Sequence, residues 1–559
     1  MQKSCKQCSV QFEITQDDLA FYDKVSPVFN GVKYQIPEPS LCPNCRQQRR
    51  LTFRNERKFY PRKSDLGGGQ IISTYSEDKP FPVYGQEEWW SDDWDPLSYG
   101  RDFDFSRPFF EQFQELKNQV PHPYLVNMHS ENSQYTNHAA YNKNCYLCVN
   151  TGYSEDCLYC SSYCLRNKNC VDCLAIKDCE LCYSCVDSNQ CFHSHFLLEC
   201  NNCQDSLFCF DCQNCEHCYG CSNLRNKKYC FFNQQLKKEE YFQAVNRIQL
   251  NSKTHLEKEQ QKYSQMIQGA LHKSSKKVQC ENCQGHYLDS CKNTFQSFFV
   301  FKSEDTSYSY DAGEMKSSQD VTEPFQGELQ YETHACNGGY LMLFTSKCYY
   351  CQNVFNSEYC WHSNNLFACL GLKHNQYCIL NKQYTKEEYE ELVPKIIEHM
   401  KNTGEWGEFF PVELSPFAYN ETVAQEYFPL TKESALEKGW RWKKETDEIP
   451  NVTKKIPAER LPDVITEIPD DILNWAIICE RSKRPFKIIP QELKFYREQG
   501  LPVPHLHPDE RHKDRMALRN PRKLWTRKCD KCAKEIETTY APKRPEKVYC
   551  EECYLAEVY

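Results

Sequence analysis

KNCYLCVNTGYSEDCLYCSSYCLRNKNCVDCLAIKDCELCYSCVDSNQCFHSHF, Lys143 to Phe196, carries no run long enough for an amphipathic helix and no strict two-residue alternation. Cysteine followed by an apolar or aromatic residue recurs at 145, 157, 170, 182, 191, 209, 218 and 230, with steps of nine, twelve or thirteen dominating. Polar turn residues intervene, among them Asn144, Asp156, Asn169, Asp178 and Asn223. Short apolar segments and polar corners in repetition predict the coils of a β-solenoid. Cysteine is small and apolar enough to stack inside such a coil. The competing reading is a metallothionein-like thiolate cluster. It leaves Tyr146, Phe192, Phe196, Leu197, Leu198, Phe208, Phe210, Phe231 and Phe232 without a purpose, because a metal cage needs no such apolar load. If the cysteines face inward, Cys209→Ala is expected to cost about 1 kcal/mol. Cys209→Ser should cost more, through a buried hydroxyl without a partner.

The block is written twice. Leu224 to Asn233, ending Tyr229-Cys230, recurs 148 residues later as Leu372 to Asn381, ending Tyr377-Cys378. Cys200, Cys203, Cys212 and Cys221 map to Cys348, Cys351, Cys360 and Cys369 at the same offset. The second copy keeps fewer cysteines and has Ser290, Ser303 and Ser317 where coils would turn. A helix follows each copy, with Thr385 and Glu388 forming a capping box for the second.

Of the 37 cysteines, nineteen lie between 145 and 230, and none between 46 and 144, 231 and 279, or 379 and 478. An odd number, confined to modules, points to thiols and metal sites of a reducing compartment. Cys529-x2-Cys532 and Cys550-x2-Cys553, seventeen residues apart, supply the four soft ligands of a structural zinc site. Cys5-x2-Cys8 and Cys42-x2-Cys45 repeat the arrangement across 33 residues. The segment CKQCSVQFEI, then DLAFY, then PSLCPNCRQQRR resembles a treble-clef zinc-finger family of bacteria, with its CxxCxxxF, FY and CPxCR. That resemblance spans roughly residues 3–55 and implies a zinc-held knuckle, a short hairpin and a helix, with no reaction. The order of modules is similar to that of a group of long cysteine-rich bacterial proteins, which again implies no activity.

A second copy of the finger follows at an offset of 474. Cys479, Ser482, His507 and Glu510 stand at the places of Cys5, Cys8, Cys42 and Cys45, a degenerate metal site. Arg46, Arg50 and Arg54 persist as Arg511, Arg515 and Arg519. Residues 46–63 hold eight Lys or Arg against one acidic residue, and residues 511–528 hold the same. A step of four places each set on one helical stripe. The stripes are expected to grip RNA or another polyanion, with Tyr60 or Trp525 stacking on a base. The alternative is an internal role, pairing with acids such as Asp92, Asp93 and Asp95.

These readings give a multidomain, mainly β chain. It has fingers at both ends flanking two tandem cysteine-rich β-solenoid-like repeats, each followed by a helix. Residues 1–66 form the N-terminal treble-clef finger with its basic tail, and 67–130 an acidic-aromatic cap. Solenoid A is 131–233, a helical segment 234–276, solenoid B 277–383 and a second helix 384–403. An aromatic and proline-rich strap at 404–470 precedes the degenerate finger at 471–525 and a zinc ribbon at 526–559. With 559 residues, net charge -9, pI near 6.0 and mean hydropathy -0.77, polyanion binding must be local. No apolar stretch suits a membrane and no signal segment precedes the first knuckle, so a cytoplasmic location is expected. No Walker loop, Rossmann glycine pattern, nucleophile elbow or HExxH is present, no catalytic residue is assigned, and the balance leans away from an enzyme. The function expected is a scaffold holding two Zn2+ ions and engaging RNA through its fingers. The alternatives are a scaffold for protein partners on the solenoids, or a metal-dependent enzyme.

Overall fold

The computed structural model describes residues 1–444, 452 and 454–559. Two units make up the chain, and neither is continuous in sequence. One comprises Met1–Leu125 with Ser275–Lys443, the other Val126–Ser274 with Lys444–Tyr559. Each unit therefore combines one solenoid with a finger from the far side of the other solenoid in the sequence.

The coil has a period of twelve. Parallel bridges run from Glu131 to Lys143 to Glu155, step thirteen to Lys168, and continue to Glu180, Phe192, Gln204 and Glu216. Within each coil the chain turns every third residue through the left-handed region, at Asn144 (φ 53°), Leu147 (50°), Asn150 (53°), Tyr153 (54°) and Asp156 (53°). Four three-residue sides make a square. The turn residues marked in the sequence are these corners, Asn169, Asp178 and Asn223 included. Left-handed backbone costs a non-glycine residue roughly 1–2 kcal/mol, so the coil must return that energy. Each corner N–H reaches back to the preceding coil, as from Leu147 to the Gln134 carbonyl at 3.0 Å and from Asp156 to that of Lys143 at 3.0 Å. Asparagine tolerates this backbone best, and its amide extends the ladder from Asn132 to Asn144 (2.8 Å) and from Asn144 to Asp156 (3.1 Å).

The residue after each corner points inward, which places Cys145, Cys148, Cys157 and Cys160 in the core. An inward residue also aims its own N–H at the interior, and burying that donor alone would be costly. The side chain one coil earlier accepts it. Cys145 N donates to Ser133 Oγ at 3.1 Å, Cys200 N to Ser188 Oγ at 3.1 Å and Cys191 N to Cys179 Sγ at 3.4 Å. The thiols then donate to carbonyls, as Cys148 does to Cys157 O at 3.2 Å. The interior thus suits small side chains that both accept and donate, with Ile176 and Leu197 as apolar exceptions.

That requirement corrects the expectation for serine. Ser206 is wholly buried, donates to Gln204 O at 2.8 Å and accepts from Cys218 N at 3.3 Å. A buried hydroxyl here has its partners. Ser303, expected at a turn, faces inward in the same way and accepts from Met315 N at 3.1 Å, whereas Ser290 and Ser317 are corners. All 37 cysteines are free thiols. Among the described residues the interior thiols form no group of three close enough to hold a metal.

Each solenoid ends in a short antiparallel hairpin, Cys230 to Gln235 and Cys378 to Gln383. The Lys386–Thr403 helix follows with its capping box formed, Thr385 N donating to Glu388 Oε2 at 2.9 Å, and it stops at Gly404 in the left-handed conformation (φ 74°). The 237–270 stretch is two helices, Lys238–Val245 and Lys253–Gly269, and the second buries only Leu256 and Tyr263. The acidic-aromatic segment caps the final coils of solenoid B. Arg101 N donates to Leu380 O at 3.2 Å, Trp89 packs on Trp361, and Lys373 lies over the rings of Trp89, Trp90 and Trp94 at 3.9, 4.9 and 5.0 Å. The strap of 404–470 breaks into short helical turns, with Tyr419, Val423, Ala424 and Trp440 closing over Leu51. Its residues 445–451 and 453 lie outside the described residues.

Candidate metal centres and the arginine stripes

Three hairpin knuckles share one backbone. Strands Gln2–Ser4 and Gln11–Glu13 carry the first, Trp475–Ile478 and Pro485–Phe486 the second, Trp525–Lys528 and Glu535–Thr538 the third. In each, the residue after the fourth position is left-handed: Ser9 (φ 62°), Lys483 (57°) and Ala533 (60°). In each, it donates its N–H back to the first position: Ser9 to Cys5 O at 2.9 Å, Lys483 to Cys479 O at 3.1 Å and Ala533 to Cys529 O at 2.9 Å. The third ligand position is the N-cap of a helix in all three, Cys42 before Pro43–Leu51, His507 before Pro508–Ala517 and Cys550 before Glu551–Val558. The C-terminal segment, expected as a ribbon, is thus a knuckle followed by a helix, like the N-terminal one.

Two of the three gather ligands. Cys5, Cys8, Cys42 and Cys45 bring their sulfurs within 4.8 Å of one another, and so do Cys529, Cys532, Cys550 and Cys553. A tetrahedron with metal–sulfur bonds of about 2.3 Å has sulfurs about 3.8 Å apart. Cys8 and Cys42 stand at 3.7 Å, and Cys532 and Cys550 at 3.7 Å. The donor set fits a four-coordinate metal ion. Backbone N–H groups already favour thiolate, Cys42 N donating to Cys5 Sγ at 3.3 Å and Cys550 N to Cys529 Sγ at 3.2 Å. Burial resists ionisation of Cys529, but the N–H groups of Cys532, Cys550 and Lys531 outweigh it and bring the thiol down to about 6.

The degenerate copy does not assemble. Cys479, Ser482, His507 and Glu510 keep their places on the backbone, yet among the described residues they form no ligand group. Cys479 Sγ accepts from Ser482 N at 3.4 Å, the His507 ring accepts from Asp509 N at 3.1 Å, and Glu510 is drawn off by Lys513 at 2.6 Å.

The arginine stripes lie where phosphate cannot reach them. Arg46, Arg50 and Arg54 are 2%, 0% and 2% exposed, held between the Pro43–Leu51 helix and the solenoid strands Tyr310–Thr322 and Phe325–His334. Arg46 pairs with Asp320 at 2.7 Å. Arg50 spans Asp320 (3.1 Å) and Glu332 (3.0 Å). Arg49, outside the predicted set, joins Glu332 (2.8 Å) to Glu408 (2.7 Å), and Arg54 pairs with Glu56 at 2.6 Å and with Glu323. The other unit repeats the design. Arg511 pairs with Asp172 and, at 3.2 Å, with Glu492, Arg515 with Asp172 at 2.8 Å and Arg519 with Asp187 at 3.0 Å. The expectation of an open, phosphate-gripping surface therefore fails for Arg46, Arg50, Arg54, Arg511, Arg515 and Arg519. The internal alternative had the right role and the wrong acids, since Asp92, Asp93 and Asp95 take no part.

The partners share one feature that no local pattern marked. Asp320, Glu323, Glu332, Asp172 and Asp187 are all coil corners with left-handed backbone. Asp320 and Glu332 are twelve residues apart, so two carboxylates stack on successive coils and would repel without the guanidinium groups between them. Burial pushes the Glu332 carboxyl up, but Arg49, Arg50 and Arg46 outweigh it and hold it below its usual range. The third finger docks on the same kind of corner. Tyr554, four residues after Cys550 as Arg46 is after Cys42, donates to Asp211, itself a corner at φ 48°.

No family profile and no curated protein matches this chain. Among solved structures, a candidate acetyltransferase from Desulfovibrio desulfuricans G20 aligns over 46% of this chain and 69% of its own, at 8% identity and a TM-score of 0.11, a likeness too slight to define even a shared fold.

Proposed function

We propose that the protein is a zinc-braced interaction scaffold: two solenoids, each clamped by finger helices, offering their outer faces to protein partners, with no nucleic-acid role. Zn2+ is the ion that four thiolates at tetrahedral spacing select in a structural site. The hairpin knuckle and N-capped helix agree with a treble clef at 3–55. The single observation that carries the scaffold reading is the pairing of all six stripe arginines, five of them buried, with corner carboxylates. It removes the residues on which RNA binding rested and explains why the stripe outlived the ligands of the second copy. Among the described residues no helix is long and apolar enough to cross a membrane. The test pairs metal analysis with RNA binding. Purified protein should carry two zinc ions per chain and bind single-stranded RNA no more tightly than a neutral protein of its size. Tight, salt-dependent binding abolished by Arg46→Gln, Arg50→Gln and Arg54→Gln in a protein that keeps its melting temperature would sink the reading.

A further inference from the structure

Outside the two tetrads, the only cysteines not buried are Cys280 and Cys283. They face inward from the first coil of solenoid B. No complete coil precedes that one, because Lys277–Val278 pairs only with Leu288 and Asp289. Solenoid A opens on the same pentapeptide with serines, Ser130-Glu131-Asn132-Ser133-Gln134 against Cys280-Glu281-Asn282-Cys283-Gln284. The local structure is also the same. Asn132 and Asn282 are left-handed (φ 45° and 50°), and Asn282 donates to Asn293 at 2.9 Å as Asn132 does to Asn144. Ser133 Oγ donates to Glu131 O at 2.9 Å, and Cys283 Sγ to Glu281 O at 3.2 Å. Serine thus does the structural work at an open first coil. Thiols there still pack on the coil interior, but they add a soft-metal donor that serine lacks.

We propose that Cys280 and Cys283 form a two-thiolate site for a soft monovalent metal ion of the Cu(I) class, independent of the scaffold reading. Two thiols are too few for tetrahedral zinc, whereas a soft closed-shell cation accepts thiolates at low coordination number. Cys291, one coil deeper and buried, lies beneath them, its carbonyl accepting from Cys283 Sγ at 3.3 Å. No other cysteine follows until Cys336, so the group is isolated from the packed thiol columns. On binding, both thiols lose their protons to solvent and two sulfur–metal bonds form, leaving one net negative charge. The Lys277 ammonium, which donates to Cys283 O at 3.0 Å, stands beside it to offset that charge. Partial exposure supplies the entry path.

Reduced, zinc-loaded full-length protein would be titrated with Cu(I) held by a chromophoric chelator. The parent should withdraw one equivalent without releasing zinc, and Cys280→Ser/Cys283→Ser, which restores the serines of the other solenoid, should lose that equivalent and keep two zinc ions. Ser130→Cys/Ser133→Cys should gain a second equivalent. Equal withdrawal by parent and double-serine variant, or zinc released in step with copper uptake, would overturn the proposal, and so would a Ser130→Cys/Ser133→Cys protein that gains nothing.

Discussion

Neutralising Glu332 tests the clamp most directly. The carboxylate is 1% exposed and serves Arg49 at 2.8 Å and Arg50 at 3.0 Å, with Arg46 at 3.9 Å. Glu332→Gln keeps the shape and removes the charge, leaving Arg46 and Arg50 to share Asp320 and Arg49 with Glu408 alone. Removing one partner of a buried ion pair costs about 3–5 kcal/mol, because the charge left behind stays desolvated. For a unit of this size each kcal/mol lowers the melting temperature by about 2 °C, a fall of roughly 6–10 °C. Asp172→Asn, which deprives Arg511 and Arg515 together, should do the same in the other unit. The control is Asp23→Asn, whose exposed pair with Lys33 at 2.9 Å should be worth under about 1 kcal/mol. Scanning calorimetry on zinc-loaded protein reads all three. If Glu332→Gln melts within about 2 °C of the control, the network does not form in solution and the arginines are free to grip phosphate after all.

Inside a coil, Cys209→Ser should cost less than about 1 kcal/mol, because the new hydroxyl can donate to Leu207 O as the thiol does at 3.4 Å, while Cys209→Leu should cost about 1–3 kcal/mol by overpacking; urea denaturation orders the two. Ser482→Cys, His507→Cys and Glu510→Cys together should add a third zinc ion per chain, since the knuckle backbone is already in place, and elemental analysis gives the count. Acid should loosen the two clamps unequally. The folded pKa of Glu332 is depressed, so its contribution is present above its ordinary 4.5 and is lost as pH falls through the folded value. Glu492 is pushed up by burial, only partly offset by Arg511, so acidification favours its folded state. Hydrogen exchange between pH 5 and 3 should therefore open the Pro43–Leu51 helix before Pro508–Ala517.

Local sequence determined whatever needs only neighbours in the chain. The return of Cys145, Cys157 and Cys170 after twelve and thirteen residues marks the coil because inward positions recur once per turn. Asn144, Asp156 and Asn169 mark corners because left-handed backbone suits them. The CxxC pairs mark tetrads because a knuckle holds two ligands by itself. What tertiary structure decided is where charge goes. The four-residue step of Arg46, Arg50 and Arg54 reads as a stripe on a helix, but a stripe has the same spacing whether it faces phosphate or carboxylate. The deciding acids, Asp320 and Glu332, lie some 270 residues away on coils of the solenoid that the sequence does not place beside that finger. Their role follows from stacking at a corner, which puts like charges one coil apart and requires a buried cation to hold them there.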